Sequence, residues 1–297
     1  MTYWQGKRAL ILGGSSGLGR ALAASLATRG ARVAIVARRQ ESLDKTVAEI
    51  VAGTPRVPSP SINSDEIFAV PADVTSAADV ERLAISIHER WGGVDFVAHT
   101  AGRSMRGDAV TTAPEKFQEL WELNFLSAVR TAQAFTADLL HSRGHLVLVG
   151  SLAGKCAPRF LAAYPASKFP LAAFAQQLRM ELGPRGVHTL LVSPGPIARD
   201  HSTVGSMAPV GGVSDADSTS SRYADQTAGL AESATRPGAG ARLKAIDPND
   251  LAKKILTACE ARRPELVIPA KAKLLFAIAQ LWPSFADWIL QKNTSDD

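Results

Sequence analysis

The spacing of its short apolar runs constrains this chain more than any other feature. "RALIL" at 8–12, "RVAIVA" at 32–37, "EIFAV" at 66–70, "VDFVA" at 94–98, "HLVLVG" at 145–150, "VHTLLV" at 187–192 and "ELVI" at 265–268 are rich in Val, Ile and Leu. Longer stretches of helical periodicity separate them. Runs this short and apolar read as strands buried on both faces, and their alternation with helices implies a parallel sheet covered on both sides. The expected fold is α/β: a doubly wound, mostly parallel seven-stranded Rossmann-type sheet. Helix starts agree. "TAPE", Thr112 to Glu115, reads as a capping box with Pro in the first turn, and "DPND" places the cap Asp247 before Pro248.

Over 297 residues one large domain with extensions is expected, spanning 1–297. Residues 53–65 read as a polar loop. Residues 196–245, rich in Gly, Ser, Ala and Asp, read as a lid or flexible segment. Residues 271–290, "KAKLLFAIAQLWPSFADWIL", form an apolar C-terminal helical extension. The net charge of +5 comes from scattered cations without interleaved aromatics, which does not fit nucleic-acid binding. Cys156 and Cys259 share no metal-type spacing, so both are expected to be reduced and non-ligating, and no metal is expected. No signal peptide is evident, and a cytoplasmic location is expected.

After the first run comes "GGSSGLGR", Gly13 to Arg20, opening a helical pattern. Glycines at 13, 17 and 19 permit a tight turn and close backbone approach, so that Ser15, Ser16, Gly17, Leu18 and Gly19 can present N–H groups to a pyrophosphate. At the end of the second run, where an NAD site carries an acid, stand Ala37, Arg38 and Arg39. A missing carboxylate and a guanidinium suit a 2′-phosphate, so the expected cofactor is NADP(H).

Downstream, Ser151 ends the fifth run, at the sheet edge where open α/β folds bind ligands. Tyr164 and Lys168 are four apart and share a helix face, where an ammonium favours the phenolate and lowers a tyrosine pKa from about 10. Asn124 falls on an apolar stripe of Phe117, Leu120, Trp121, Ala128 and Phe135, where a buried amide must find partners. Pro165 suits a helix start, whereas Pro170 is expected to kink the helix.

The glycine loop with Asn124, Ser151, Tyr164 and Lys168, in this order, resembles the short-chain dehydrogenase/reductase family. The resemblance runs from about residue 6 to 200. It implies that Tyr164 protonates a carbonyl oxygen as hydride arrives and that Ser151 hydrogen-bonds that oxygen. Lys168 would bind the nicotinamide ribose and depress the pKa of Tyr164, and Asn124 would hold a water linking Lys168 to solvent. It further implies an adenine contact from Asp73 and the Val74 backbone. Ala101 and Gly102 match the family's Ala-Gly turn, with Pro194, Gly195 and Ile197 near the nicotinamide. Two positions depart from the pattern. His99 replaces an Asn and is expected to be structural, and Arg199 stands where many members have Thr.

The expected activity is NADPH-dependent reduction of a ketone to a secondary alcohol, or the reverse. "LILGGSSGLGRALA", "VAIVARR" and the apolar tail are similar to the branch containing 3-ketodihydrosphingosine reductases, which implies a lipid-like 3-keto substrate. The alternatives are a 3-oxoacyl or general carbonyl reductase, or a noncatalytic NADPH-binding module, against which the Ser151, Tyr164 and Lys168 set argues. The expected partners are a small-molecule ketone or alcohol and further copies of the chain, as a homodimer or homotetramer. In the tail, Leu274, Ile278, Leu281, Phe285, Trp288 and Ile289 recur at helical intervals, flanked by Lys271, Lys273 and Lys292 and interrupted by Pro283 and Asp287. Burial against the lid or a partner subunit is one destination. Peripheral membrane contact through 271–290 is the other.

Overall fold

The structure, a computed structural model, describes residues 2–53, 66–198, 226–227, 230, 234 and 243–294. Seven strands form one sheet: β1 (Arg8–Leu12), β2 (Arg32–Ala37), β3 (Ile67–Pro71), β4 (Phe96–His99), β5 (His145–Val149), β6 (His188–Pro194) and β7 (Glu265–Ile268). Their spatial order is β3-β2-β1-β4-β5-β6-β7, and every pair is parallel. All seven expected runs are strands, displaced at most by a residue or two. The order reverses between β1 and β4, which opens a crevice outside the carboxyl ends of these strands.

Side chains alternate across the sheet, as the strand repeat requires. Ala9, Ile11, Val33 and Ile35 join a core with α1 (Gly17–Ala27), α2 (Gln40–Gly53) and α8 (Pro248–Glu260). Leu10, Leu12, Ala34 and Val36 point the other way, toward α3 (Ala77–Trp91), α5 (Ser127–Ser142) and α7 (Pro170–Leu182). Neither strand face meets water, which is why these runs carry no polar alternation.

Asp247 caps α8 as expected, accepting from the N–H groups of Asn249 (2.8 Å) and Asp250 (3.0 Å). Thr112 does not cap α4 (Pro114–Trp121). It lies one residue ahead of the N-cap Ala113, and its Oγ1 donates back to Asp108 O at 2.6 Å. The apolar stripe also differs from expectation: Leu120, Ala128 and Phe135 are buried, but Trp121 is 40% exposed and Phe117 half-buried. A π turn, Glu122–Leu126, separates α4 from α5 and shifts the phase of the face.

At Pro170 the hydrogen-bond ladder lapses between α6 (Tyr164–Lys168) and α7, without the expected break in backbone dihedrals. Phe169, with φ −57° and ψ −44°, keeps helical geometry. The tail, read as one stripe, is two helices, α9 (Ala272–Leu281) and α10 (Pro283–Thr294), packed on each other. The helix breaks at Trp282 because the ring of Pro283 disfavours helical geometry in the residue before it. Of the polar loop, residues 54–65 lie outside the described residues, as do 199–225 and most of 228–242 in the expected lid, including Arg199. The ends of that excursion are joined: Ala198 N–H donates to Ile246 O and Ile246 N–H to Pro196 O, both at 2.8 Å.

Candidate active site

The first wall of the crevice is the turn from β1 into α1. Gly13 (φ +84°) and Gly17 (φ +50°) adopt backbone conformations that a side chain would strain. A Cβ on Gly19 would lie 2.2 Å from Gly13 O, and one on Gly13 would lie 2.7 Å from Ala101 N, so the loop folds tightly on itself and onto the end of β4. Ser16, the N-cap, makes no side-chain cap. The N–H groups of Gly17, Leu18 and Gly19 therefore open the helix without intrahelical partners, beside open space at Gly17. Thr46 Oγ1, which donates first to Ser42 O at 2.9 Å in its own helix, also lies 3.2 Å from Ser15 O on that side of the loop. This cradle fits the pyrophosphate of a dinucleotide.

Arg38 and Arg39 follow β2 at the same edge; both are exposed and form no ion pair with another described residue. Asp73 opens the third crossover just after β3, with Oδ1 already accepting from Thr75 N (2.9 Å) and Thr75 Oγ1 (2.7 Å), while Val74 is buried beside it. At the far wall Gly195 N–H donates to Ile268 O at 2.8 Å, which fixes the Pro194-Gly195 turn against β7. Ile197 bridges to Ile246.

Between these walls lie the polar side chains. Lys168, 5% exposed, sends Nζ to Val149 O at 2.9 Å, and burial lowers its pKa to about 8. Asn124 is fully buried in the π turn: Oδ1 accepts from Arg103 N (2.8 Å), and Nδ2 donates to Arg103 O (2.9 Å) and Ser167 Oγ (2.8 Å). An amide has two acceptor and two donor positions. These contacts leave one lone pair on Oδ1, so the amide is mainly a clamp on the loop after β4. Asn124 Oδ1 and Lys168 Nζ converge, at 2.8 and 3.1 Å, on the point that a Cβ of Gly102 would take. Ala101 precedes it, half-buried against the core of the α5 side.

Ser151 follows β5 and caps a short 3₁₀ turn, its Oγ accepting from Ala153 N at 3.1 Å. That acceptor role leaves the hydroxyl proton for an incoming oxygen. The turn is pressed on α6, since a Cβ on Gly154 would meet Lys168 O at 2.8 Å, and this sets Ser151 against the helix that carries Tyr164 and Lys168. Tyr164 begins that helix, half-buried, behind two residues with left-handed φ, Phe160 (61°) and Ala162 (46°). Conformations of this kind persist only where the surroundings over-determine them. Here Gly107 bonds both, through its N–H to Phe160 O (3.2 Å) and its carbonyl to Ala162 N–H (3.0 Å).

His99 is buried with Nε2 3.0 Å from Ser127 Oγ and Nδ1 3.2 Å from Thr131 Oγ1; burial, aided by the Lys168 charge, lowers its pKa to about 3. It ties β4 to the helix just past the π turn. Arg103, Ser167 and Val149 hold Asn124 and Lys168 in place, and no motif pointed to them. Two of the three act through backbone atoms, which leave no mark on residue identity.

A glycine-cradled helix start, at the reversal point of a parallel sheet and beside a Ser, Tyr and Lys set, defines a dinucleotide-dependent oxidoreductase. A profile described as short chain dehydrogenase matches residues 7–205, and the chain belongs to that family. It is 29% identical over 98% of its length to a dehydrogenase/reductase SDR family protein 7-like from Anopheles gambiae, covering 84% of that protein. It is 28% identical over 94% of its length to dehydrogenase/reductase SDR family member 7B of Danio rerio, covering 83%. These names do not single out the 3-ketodihydrosphingosine branch. Among solved structures, a short-chain dehydrogenase from Streptomyces avermitilis shares the fold with TM-score 0.72 at 24% identity, over 97% of both chains. An actinorhodin polyketide ketoreductase with NADPH does so with TM-score 0.71 at 24% identity, over 90% of this chain and 97% of that one.

Proposed function

We propose that this oxidoreductase reduces a ketone to a secondary alcohol with NADPH. The convergence of Asn124 and Lys168 on Gly102, beside Ser151 and Tyr164, carries the reading. Ser15 to Gly19 would hold the pyrophosphate, Arg38 with Arg39 the 2′-phosphate, Asp73 and Val74 the adenine, and Ala101, Gly102, Pro194, Gly195 and Ile197 the nicotinamide half. Bound there, NADPH supplies hydride to the carbonyl carbon. Ser151 donates its hydroxyl to the carbonyl oxygen, and the Tyr164 hydroxyl gives that oxygen its proton. Lys168 stands on the same helix face, positively charged below about pH 8, and stabilises the phenolate left behind. Asn124 keeps the loop from β4 in register and offers its remaining Oδ1 lone pair to a water beside Nζ. NADPH consumption with a ketone panel, from short diketones to long-chain 3-keto lipids, tests this. Cofactor binding without consumption of NADPH for any ketone would favour the noncatalytic module.

The tail favours the lipid end of that panel. Leu274, Leu281, Trp282, Phe285 and Trp288 are each more than half exposed, with Phe285 and Trp288 stacked at 5.7 Å and Lys292 over Trp288. No helix among the described residues is long and apolar enough to cross a membrane. Short helices with aromatic tips and lysine flanks suit the headgroup level of a lipid surface. If the tail serves as such a contact, the full chain cosediments with anionic vesicles and a chain lacking 270–297 does not, while still reducing soluble ketones. No association at low salt would remove the membrane reading.

A further inference from the structure

The amino edge of the sheet holds a second cluster of chemistry-bearing side chains that the reductase reading does not use. His145 and His188 are the paired first residues of β5 and β6, and Cys259 stands near the end of α8. One ring nitrogen from each histidine and the Cys259 Sγ lie within 4.8 Å of one another, and all three residues are buried. They are separated by 43 and 71 positions in the chain, so no spacing motif announces them. The expectation of a non-ligating Cys259 rested on spacing alone.

Hydrogen bonding fixes where the protons are. Arg263 O can only accept, so His188 Nε2, 2.8 Å away, donates to it. Burial disfavours the charged form of both rings. Nδ1 of His188 is then an acceptor, and His145 Nδ1 donates to it across 2.9 Å. His145 Nε2 accepts in turn from the Tyr3 hydroxyl at 2.6 Å. Two imidazole nitrogens thus share one proton beside a thiol, in a pocket where all three donors are uncharged.

We propose that His145, His188 and Cys259 form a binding site for a borderline-soft divalent cation of the zinc type. Two imidazoles and a thiolate suit such an ion, and three ligands leave a fourth tetrahedral position open. Binding forms two metal–nitrogen bonds and one metal–sulfur bond without redox change. The thiol proton leaves to solvent. The His145 Nδ1 proton is replaced by one at Nε2, where the Tyr3 oxygen accepts it, so the net release is a single proton. The site lies a strand length, roughly 16 Å for five residues, from the carboxyl end of β5. An ion there ties β5, β6 and α8 together and takes no part in turnover.

The test uses the full, tag-free chain stripped with chelator and titrated with Co2+ and then Zn2+. A single Co2+ per chain should give visible d–d bands and a sulfur-to-cobalt charge-transfer band, both lost on adding Zn2+. A single proton should be released in weak buffer, and the melting temperature should rise. Cys259→Ser should lose the charge-transfer band, and His188→Gln should lose tight binding. Tyr3→Phe, which removes only the group outside the ligands, should weaken binding about 10- to 100-fold. A charge-transfer band unchanged in Cys259→Ser overturns the proposal. If a substituted chain fails to fold, the parent protein decides: no band, no proton release or no rise in melting temperature overturns it equally.

Discussion

At the amino edge of the sheet Arg8 holds Asp95 through Nε (2.9 Å) and Nη2 (3.2 Å), with its backbone N–H on the same carboxylate at 2.8 Å. Trp4 Nε1 donates to Glu260 at 2.5 Å, and the Tyr3, His145 and His188 chain ends on a carbonyl. Burial alone would raise the Asp95 pKa, but the Arg8 hydrogen bonds outweigh it and hold the carboxyl below its ordinary value. At the carboxyl edge the polar groups are as deeply buried, yet less fully bonded. Ser151 keeps its proton, Asn124 one lone pair, and Lys168 has its one described hydrogen bond at Val149 O. Unused hydrogen-bonding capacity in a dry setting is costly unless something binds to use it. Completeness of bonding separates the edge whose role is structural, an ion at its histidine pair included, from the edge that meets the reactants.

That contrast can be broken most sharply at Tyr164. Tyr164→Phe should lower turnover by about 10² to 10⁴ while NADPH affinity and melting temperature stay near the parent's; steady-state rates and fluorescence titration check this, and an undiminished rate would remove Tyr164 as the acid. Arg38→Ala should cut the NADPH-over-NADH preference at least about tenfold, the worth of one charge-assisted hydrogen bond, with paired cofactor titrations as the measurement. Arg8→Met should do the reverse. With both side chains about one-fifth exposed, losing the pair should cost about 2 kcal/mol in denaturant unfolding, less than a fully buried pair, and leave turnover per folded molecule unchanged. A parallel loss of turnover would erase the distinction between the edges.

The smallest effect concerns His99. Its folded pKa of about 3 lies below the unfolded value of 6.5, so the unfolded chain binds the extra proton as pH falls. Stability is therefore lost below pH 6.5, by about 1 kcal/mol near pH 5.5. His99→Asn should flatten that part of the stability–pH curve relative to the parent, and identical slopes would contradict the assignment.

Much of the carboxyl edge was legible in the chain. The strand runs, the glycines at 13, 17 and 19, and the four-residue step from Tyr164 to Lys168 are local patterns, and local patterns survive folding. The holders of Asn124 were not legible: Arg103 acts through its backbone, and Ser167 is one small residue among many. Nor was the meeting of His145, His188 and Cys259, which depends on strand register and on where α8 ends. The exposure of the tail was hidden for another reason. Apolar spacing marks a face and does not say what, if anything, covers it.

The π turn has a consequence for editing this chain. One residue beyond the α-helical count fits into Glu122–Leu126, so the residues on either side are out of step by about 100°, the advance per residue of an ordinary helix. Deleting a single residue there would let the turn relax to α geometry with both flanks in place, because the widened turn already absorbs the extra residue. What moves is the turn itself: with one residue fewer, Asn124 takes a different place around the helix and its amide loses its aim at Arg103 and Ser167. The packing of α5 through Ala128, Thr131 and Phe135 would survive an edit that disarms the site.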